Sequence, residues 1–353
     1  VVAPISWVDD LQARLHGKPQ LPDSRRCQRD GMAVVHPRYY YPPGMLRRYY
    51  GRFFLRSIRS YVHNLARECP PDILLASWAY PDGYAAVRLG RQLNIPVAVQ
   101  VVGSDINLLD RYPARRDATW ETLRSADTVI TVSRALADRV IAGGIAAGRV
   151  KVVYRGIDRS IFCPGSQRDA QAALQVRDGA PLLLFIGNLV HVKAVDVLVT
   201  ACGILVKRFP HIQCHVIGDG PLRKQLTAQV RALSIDQQIR FHGVIDHGQL
   251  PTWYRAADLV VLPSLAEGVP NVLLESIACG RPYVASDTGG IPEISNHPGC
   301  RLVVPGDSLA LADAITSQLQ DSQTPTPADL LVDSWDQSGR ALGQVLANCR
   351  RAA

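Results

Sequence analysis

The chain has 353 residues, 47% of them hydrophobic and 20% charged, which is the composition of an ordinary soluble globular protein. Single hydrophobic cores stop growing below this length, so two domains of about 150 to 180 residues are expected. No apolar run reaches the roughly 20 residues that span a bilayer, which excludes a transmembrane helix. The eight scattered cysteines form no C-x-x-C pair, so a reduced cytosolic interior suits them better than a disulfide framework or a zinc site.

The net charge of +8 is concentrated in the first half of the chain. Residues 1–160 carry 24 Lys and Arg against 14 Asp and Glu, whereas the remainder carries 15 against 17. The excess is greatest in residues 44–67, "GMLRRYYGRFFLRSIRSYVHNLAR", where arginines alternate with aromatic residues. Two interpretations are open: a helix that contacts an anionic membrane surface, or an amphipathic helix whose aromatic residues lie in the core. Nucleic acid is less favoured because no recognised binding motif accompanies the charge.

Short apolar runs alternate with helix-like segments along the chain. The predicted strands are "DILLASW" (72–78), "PVAVQVVG" (96–103), "TVITVS" (128–133), "VKVVYRG" (150–156), "PLLLFIGN" (181–188), "CHVIGDG" (214–220), "IRFHG" (239–243), "LVVLPS" (259–264) and "PYVAS" (282–286). Helices are predicted between them, for example over residues 81–93 and 118–125, and a last helix over residues 334–351. Continuous Val, Ile and Leu runs joined by helices indicate parallel sheets covered on both faces, so the sequence predicts two doubly wound α/β domains.

The hinge between the domains is predicted within residues 157–171, where Pro164 and Gly165 separate the two patterns. This gives an N-terminal domain over 1–160 and a C-terminal domain over 161–330. The Pro- and Thr-rich residues 321–330 precede the last helix, and residues 331–353 are expected to return to the first domain.

Ligands of open α/β sheets bind at the carboxyl ends of the strands, so the loops after the predicted strands are the candidate sites. Gly187 ends one strand and permits close backbone approach, and Lys193 can reach back over the strand ends. A lone lysine is usually a solvated charge, but beside a helix N-terminus it becomes a phosphate clamp. The Gly-Asp-Gly turn at Gly218 does not match G-x-G-x-x-G, so the dinucleotide fingerprint is absent.

The stretch "SLAEGVPNVLLESIACGRP", residues 264–282, sets Glu267 and Glu275 on either side of a helix start. Asn271 is a suitable N-cap, which places Glu275 about one turn inside the helix. Free N–H groups around Val272 and Leu273 make this terminus an anion site. Carboxylates beside an anion site point to hydroxyl recognition. The alternative is that Glu275 supports the first turn and Glu267 is a solvated loop residue.

These loops together closely resemble the family-four retaining glycosyltransferases of the GT-B fold. The resemblance covers about residues 70 to 345. It rests on "VVYRGIDRSIFCP", "FIGNLVHVKAVDVLV", "HVIGDGPLRKQL", the E-x7-E segment, and the "ACGRP" and "GGIPE" that follow it. It implies two Rossmann-like domains that face each other across a cleft, with a nucleotide diphosphate sugar as the donor.

The resemblance also assigns roles to the two glutamates. Glu275 holds the ribose hydroxyls, Glu267 faces the transferred sugar, and the diphosphate lies on the helix start. The candidate catalytic residues are Glu267, Lys193 and Asp105. Lys193 is expected to contact the leaving diphosphate, and Asp105 the sugar or the acceptor. Apart from Glu275, the candidate donor-binding residues are Gly187, Asn188, Gly218, Gly268, Pro270, Asn271, Val272 and Leu273.

Three features depart from the family pattern. Asn188 occupies the position where an arginine would make a second phosphate contact, a form that exopolysaccharide-type members share. In "VVGSD", Val102 replaces the histidine of an H-G-x-D loop, while Gly103 and Asp105 remain. Nothing before "VVAPI" supplies the first strand, Gly-rich turn and helix of the acceptor domain. The chain is therefore expected to be truncated or to have an incomplete acceptor site.

The reaction that the resemblance implies is retaining transfer through an oxocarbenium-like transition state, to a glycan or lipid-linked acceptor in cell-surface polysaccharide synthesis. No D-x-D occurs in the chain, so neither a metal nor a cofactor besides the donor is expected. We expect a cytoplasmic enzyme, with peripheral membrane contact through residues 44–67. Two alternatives stay open: a nucleotide-sugar epimerase of the same fold, and a nucleotide-sugar-binding protein that has lost catalysis. Release of a new glycoside separates transfer from epimerisation, and any donor turnover excludes the binding protein.

Overall fold

The computed structural model describes residues 1–16, 26–29, 31–43, 46, 49–176, 179–321 and 332–349. The chain divides into two compact units. The first unit comprises residues 1–131, 137–152 and 343–353, and the second comprises residues 132–136 and 153–342.

The β-strands are numbered in chain order. They are β1 (Ile5–Ser6), β2 (Arg26–Arg29), β3 (Met32–Val35), β4 (Arg38–Tyr39), β5 (Leu74–Ser77), β6 (Val97–Val101), β7 (Thr128–Thr131), β8 (Val150–Val152), β9 (Leu182–Ile186), β10 (Gln213–Ile217), β11 (Ile239–Gly243), β12 (Leu259–Leu262), β13 (Tyr283–Ser286) and β14 (Cys300–Val303).

The α-helices are numbered in the same way. They are α1 (Trp7–His16), α2 (Tyr50–Glu68), α3 (Tyr84–Leu93), α4 (Ser104–Asn107), α5 (Pro113–Ser125), α6 (Arg134–Ala142), α7 (Gln167–Ala173), α8 (Val195–Leu205), α9 (Arg223–Ala232), α10 (Leu250–Ala256), α11 (Asn271–Ala278), α12 (Ser308–Gln320) and α13 (Trp335–Ala347).

The second unit is built on a parallel sheet of six strands in the order β11-β10-β9-β12-β13-β14. Every residue of β9, β10, β12 and β13 is buried, as expected of strands covered on both faces. The chain order reverses between β9 and β12, which pair through Leu183 with Leu259 and Leu184 with Val260. This reversal is the topological switch point of a doubly wound sheet, where a crevice forms beyond the strand ends.

The first unit contains a parallel sheet of four strands in the order β5-β6-β7-β8. Two smaller pairings lie earlier in the chain, β1 with β4 in parallel and β2 with β3 antiparallel. The strand order of the four-stranded sheet follows the chain order without a reversal.

The predicted α/β class with parallel sheets is confirmed, and all nine predicted strands are present. Strand β14 was not predicted because it begins with Cys300 and Arg301, and three of its four residues are only half-buried. The short strands β1 to β4 also lack a continuous buried apolar run. Except for Asp321, the Pro- and Thr-rich residues 321–330 lie outside the described residues.

The basic, aromatic segment forms helix α2 from Tyr50 onward, whereas residues 44, 45, 47 and 48 lie outside the described part of the chain. Phe54 is buried against the ring of Tyr39, with 4.8 Å between centroids, and the hydroxyl groups of Tyr39 and Tyr50 lie 2.7 Å apart. Arginines 52, 56 and 59 are exposed. The helix is therefore amphipathic, with aromatic side chains packed inward and arginines outward. Among the described residues, no helix is both long enough and apolar enough to cross a membrane.

Candidate active site

The loops after β9 and β12 meet at the switch point of the second unit. The backbone N–H of Leu265 donates to the carbonyl of Val192 over 2.8 Å, which joins the two loops. Across this junction, Lys193 Nζ lies 2.6 Å from Glu267 Oε1. The side chains are 21% and 12% exposed, so the ion pair is largely shielded from water. Strand order thus brings together two candidate residues that are 74 positions apart in sequence.

The backbone around Glu267 is held by the Gly-Gly turn that follows β13. Gly289 has φ +58°, and a Cβ there would overlap the carbonyl oxygen of Glu267. The N–H of Gly290 donates to the carbonyl of Gly268 over 2.8 Å. Only glycine combines this conformation with this approach, so the turn fixes the position from which the Glu267 side chain extends.

A second close glycine contact joins the backbones at the carboxyl ends of β9 and β10. Gly218 has φ +125°, and a Cβ at this position would overlap the carbonyl oxygen of Gly187. The N–H of Leu189 donates to the carbonyl of Asp219 over 3.0 Å. The close backbone approach expected at Gly187 is thus present, and Gly218 is the residue that must be glycine. Asn188, between these contacts, is exposed.

Helix α11 begins at Asn271, and Pro270 occupies its N-cap position without a side-chain cap. The prediction of Asn271 as the N-cap is therefore wrong. Asn271 is already helical, and its side-chain oxygen accepts a hydrogen bond from Arg155 Nη1 over 3.2 Å. The N–H of Leu273, expected to be free, donates to the carbonyl of Pro270 over 3.1 Å. Of the two N–H groups named from the sequence, only that of Val272 therefore remains available to an anion.

Glu275 lies one turn inside α11 with its side chain 7% exposed. Its Oε2 accepts a hydrogen bond of 2.6 Å from the hydroxyl of Tyr254, and its Oε1 lies 3.7 Å from His247 Nε2. Burial raises the pKa of Glu275, and the contacts with Tyr254 and His247 act in the opposite direction. Burial also raises the pKa of Tyr254 well above its usual value, so Tyr254 remains a hydrogen-bond donor. Both carboxylate oxygens thus have a contact within the protein, a short hydrogen bond at Oε2 and a longer contact with His247 at Oε1.

Asp105 belongs to the first unit, in the short helix α4 that follows β6. Its Oδ1 accepts from the N–H groups of Val102 and Gly103 over 3.1 and 3.0 Å, and its Oδ2 accepts from the N–H of Ala79 over 3.2 Å. Burial raises the pKa of Asp105, and these backbone hydrogen bonds offset part of the effect. Both oxygens therefore fix the loop backbone. The side chain also lines a cavity of about 220 Å³ together with Trp78, Tyr80, Ser104, Leu108, Leu109, Tyr112, Arg115 and Thr119.

Sequence reasoning missed Tyr254, His247 and the role of the Gly-Gly turn. Tyr254 is fully buried in helix α10, where an aromatic residue at helical spacing gives no sign of a polar contact. His247 stands in a short turn whose only local signal is the Asp246 cap. The signal for Gly289 and Gly290 was available in the "GGIPE" segment, but their contacts with Glu267 and Gly268 depend on the fold.

Two family profiles match the chain, one in each half. The family described as "Glycosyltransferase Family 4" matches residues 15–161, and that described as "Glycosyl transferases group 1" matches residues 180–321. The chain is 31% identical to a D-inositol 3-phosphate glycosyltransferase of Kribbella flavida over 223 residues, which are 60% of this chain and 53% of that protein. It is 28% identical to the putative teichuronic acid biosynthesis glycosyltransferase TuaC of Bacillus subtilis over 82% of this chain and 71% of TuaC. The chain therefore spans about half the length of the first of these relatives.

Solved structures share the fold at low sequence identity. The sucrose-phosphate synthase of Thermosynechococcus elongatus superimposes with a TM-score of 0.78 at 22% identity, over 92% of this chain and 85% of that chain. HepE of Anabaena, solved in complex with UDP, superimposes with a TM-score of 0.74 at 21% identity, over 89% and 86%. A further HepE structure contains UDP-glucose. These likenesses confirm the predicted GT-B fold class.

Proposed function

The chain belongs to the glycosyltransferases of family 4 and group 1, and we propose that it moves a sugar from a nucleotide diphosphate sugar to an acceptor with retention of configuration. The observation that carries the proposal is the Lys193–Glu267 ion pair at the switch point, next to a helix start that has no side-chain cap. The UDP and UDP-glucose complexes of HepE support a donor of this class.

In the proposed reaction, the bond between the anomeric carbon and the leaving phosphate oxygen breaks, and its electron pair goes to the nucleoside diphosphate. The acceptor oxygen then bonds to the anomeric carbon on the same face. Its proton goes to a phosphate oxygen of the donor. Negative charge grows on the diphosphate, so preorganised positive charge is the main requirement. Lys193 and the N-terminus of α11 supply it, and Glu267 orients both Lys193 and the sugar hydroxyls.

We assign ribose recognition to Glu275, whose Oε2 is held by Tyr254 and whose Oε1, in a longer contact with His247, would turn to the ribose hydroxyls. A metal-independent reaction without a further cofactor is part of the proposal, since the chain has no D-x-D and the site has its own cations. Asp105 remains a predicted contact for the sugar or acceptor.

For the acceptor we propose a glycan or a lipid-linked glycan in cell-surface polysaccharide synthesis, with the enzyme in the cytoplasm at the membrane. The name of TuaC and the positive charge of the first 160 residues support this choice. The exposed arginines of α2 provide a surface for anionic lipid.

Thermal unfolding with UDP-, GDP- and ADP-sugars tests the donor class. A ligand that binds the native state raises the unfolding temperature by mass action, so one nucleotide series should stand out. The Glu275→Ala variant should lose that shift. The product of turnover should then be a new glycoside with the anomeric configuration of the donor, as read by NMR. No shift with any of the three series, or an isomerised free nucleotide sugar as the product, would contradict the proposal.

A further inference from the structure

The second unit contains a cavity of about 490 Å³ that none of the assigned donor residues lines. Its volume is within the range of small-molecule sites. The wall is part apolar and part cationic. Its lining residues include Val269, Leu274, Ile294 and Val332, with Arg134, Arg155 and Arg159 as cations.

Two carboxylates, those of Glu293 and Asp333, also line this cavity, and the oxygens of Glu293 already accept hydrogen bonds within the protein. Glu293 Oε1 accepts from the N–H of Ala135 over 2.8 Å, and Oε2 accepts from the N–H of Arg134 over 2.9 Å and from the hydroxyl of Tyr154 over 2.7 Å. Burial raises the pKa of Tyr154 to about 12, with Glu293 as a further cause, so Tyr154 keeps its proton. The other carboxylate, Asp333, is exposed. Three arginines against these two carboxylates leave the lining of the cavity with a net positive charge.

The wall that carries two of the arginines is held in place by backbone contacts. The N–H of Ile157 donates to the carbonyl of Asp333 over 2.9 Å, and the N–H of Trp335 donates to the carbonyl of Ile157 over 3.1 Å. A Cβ at Gly156 would overlap the carbonyl of Ser334. Arg159 Nη2 donates to the carbonyl of Val332. Arg155 and Arg159 consequently extend from a segment whose backbone is held against residues 332–335, which lowers the entropy lost when a ligand binds.

The cavity adjoins the proposed donor site. Arg155, which lines it, donates to the side chain of Asn271 at the start of α11, and Leu274 lines it from the same helix. Glu275, on the next position of that helix, contacts Tyr254 instead. A ligand in the cavity would therefore lie on the flank of the helix whose start is proposed to hold the donor diphosphate.

We propose that this cavity binds the phosphate group of a phosphorylated acceptor. The inference rests on the proposed function, because the phosphates of the donor are assigned to Lys193 and α11, and the acceptor is the remaining substrate. Arginine suits this ligand because its planar guanidinium pairs with two phosphate oxygens at once. The apolar wall accommodates the carbon skeleton that bears the phosphate.

Calorimetric titration at fixed ionic strength tests the proposal, first with inorganic phosphate and then with a hexose monophosphate. The protein is saturated beforehand with the nucleoside diphosphate that it binds. Binding should persist in the saturated protein and weaken about fivefold or more in Arg134→Gln and in Arg159→Gln. The matched control is Arg231→Gln, an exposed arginine on α9 outside the cavity. Loss of phosphate binding on nucleotide saturation, or equal affinities in all variants, would overturn the proposal.

A second series separates the two sources of the phosphate. Vesicles that contain phosphatidic acid replace the soluble ligand, with neutral vesicles as the reference. Binding that depends on Arg134 only with hexose monophosphate assigns a soluble acceptor, and binding that depends on it with vesicles assigns a lipid phosphate. Dependence in neither series rejects the cavity. Because Arg134 is exposed, its variant reports on binding even if Arg159→Gln does not fold. If no nucleoside diphosphate binds at all, the donor assignment fails, and the same variants titrated without nucleotide still decide the cavity.

Discussion

The two larger parallel sheets in the described part of the chain differ in strand order, and the difference determines where side chains can meet. In the six-stranded sheet the order reverses between β9 and β12, so the loops after these strands face each other and Lys193 reaches Glu267. In the four-stranded sheet the order β5-β6-β7-β8 has no reversal. Where the strand order reverses, the two neighbouring connections leave in opposite directions, and a crevice forms beyond the strand ends. Where the strand order follows the chain order, the connections all leave in the same direction, and no such crevice is expected.

The carboxylates of the two units also differ in the groups that they contact. Glu267 has a side-chain partner in Lys193, and Glu275 has side-chain partners in Tyr254 and His247. Asp105 accepts from three backbone N–H groups and shapes its own loop. Donor chemistry should therefore depend on side chains of the second unit, while Asp105 contributes mainly through the loop that it holds.

The largest expected effect comes from the Lys193→Ala variant. It removes the cation at the switch point and leaves Glu267 without its partner at 2.6 Å. We expect kcat/KM to fall by about a hundredfold or more, as the loss of one preorganised charge contact does. Steady-state kinetics with the matched variant Lys151→Ala, an exposed lysine on β8 of the first unit, provides the comparison. Similar kinetics in the two variants would remove Lys193 from the mechanism.

The two units should also respond to pH in opposite directions. Burial is the main cause that lowers the pKa of His215 on β10 from its usual 6.5 to about 4, with His242 as a further cause. Protonation of His215 therefore favours the unfolded state, and its contribution is present above pH 6.5 and lost as the pH falls to about 4. In the first unit, burial raises the pKa of Asp82 from 3.8 to about 6. Its contribution is present below pH 3.8 and lost as the pH rises through 6.

Each of these contributions is limited to about 3 kcal/mol at 1.36 kcal/mol per pKa unit. The Asp82→Asn variant should therefore lose less stability than the wild type between pH 4 and 7. The His215→Asn variant should lose less between pH 6.5 and 4. Unfolding temperatures measured across both ranges check the two slopes. If the unfolding temperatures of wild type and variant change with pH in the same way, the pKa of that group does not differ between the folded and unfolded states.

Glu275→Ala should weaken nucleotide binding by about 1.5 to 3 kcal/mol, the range for hydrogen bonds to a charged group. Tyr254→Phe keeps the carboxylate but removes the donor on Oε2, so a smaller loss of about 0.5 to 1.5 kcal/mol is expected. Because burial raises the pKa of Glu275, nucleotide affinity should increase as the pH rises above the ordinary value of 4.5 and the carboxylate ionises. Calorimetry at several pH values measures both effects. Unchanged affinity in Glu275→Ala would exclude the ribose role.

Asp105→Asn sharpens the contrast between the units. Asparagine keeps one acceptor oxygen and loses the other, so either the bond from Ala79 or the bonds from Val102 and Gly103 are lost. We expect a stability loss of about 1 to 2 kcal/mol, within the range for an unmatched buried polar group, and unchanged nucleotide affinity. Nucleotide affinity that falls as far as in Glu275→Ala would place Asp105 in donor binding.

The sheets and the positions of the paired glutamates could be predicted because continuous apolar runs and turn residues are local signals. The contacts of the site could not be predicted in the same way. Tyr254 is read locally as a core residue, and its bond to Glu275 requires α10 and α11 to pack side by side. The N-cap of α11 was misplaced by one residue because Asn271 is a good cap by type, whereas Pro270 has the extended backbone of the cap position. Gly289 shows its role only once the loop after β13 lies on Glu267.

The smallest effect per residue is expected on helix α2. Its aromatic side chains pack inward, so the exposed arginines 52, 56 and 59 are what an anionic membrane would meet. Each arginine near such a surface contributes about 1 kcal/mol, and the attraction is screened beyond about 8 Å at physiological ionic strength. Co-sedimentation with anionic vesicles should therefore fall with added salt and with each Arg→Glu change, while neutral vesicles bind little. The matched control is Arg231→Glu, which reverses an exposed charge on α9 of the second unit. Equal binding to neutral and anionic vesicles, or no difference between the α2 variants and the control, would leave α2 as an ordinary amphipathic helix.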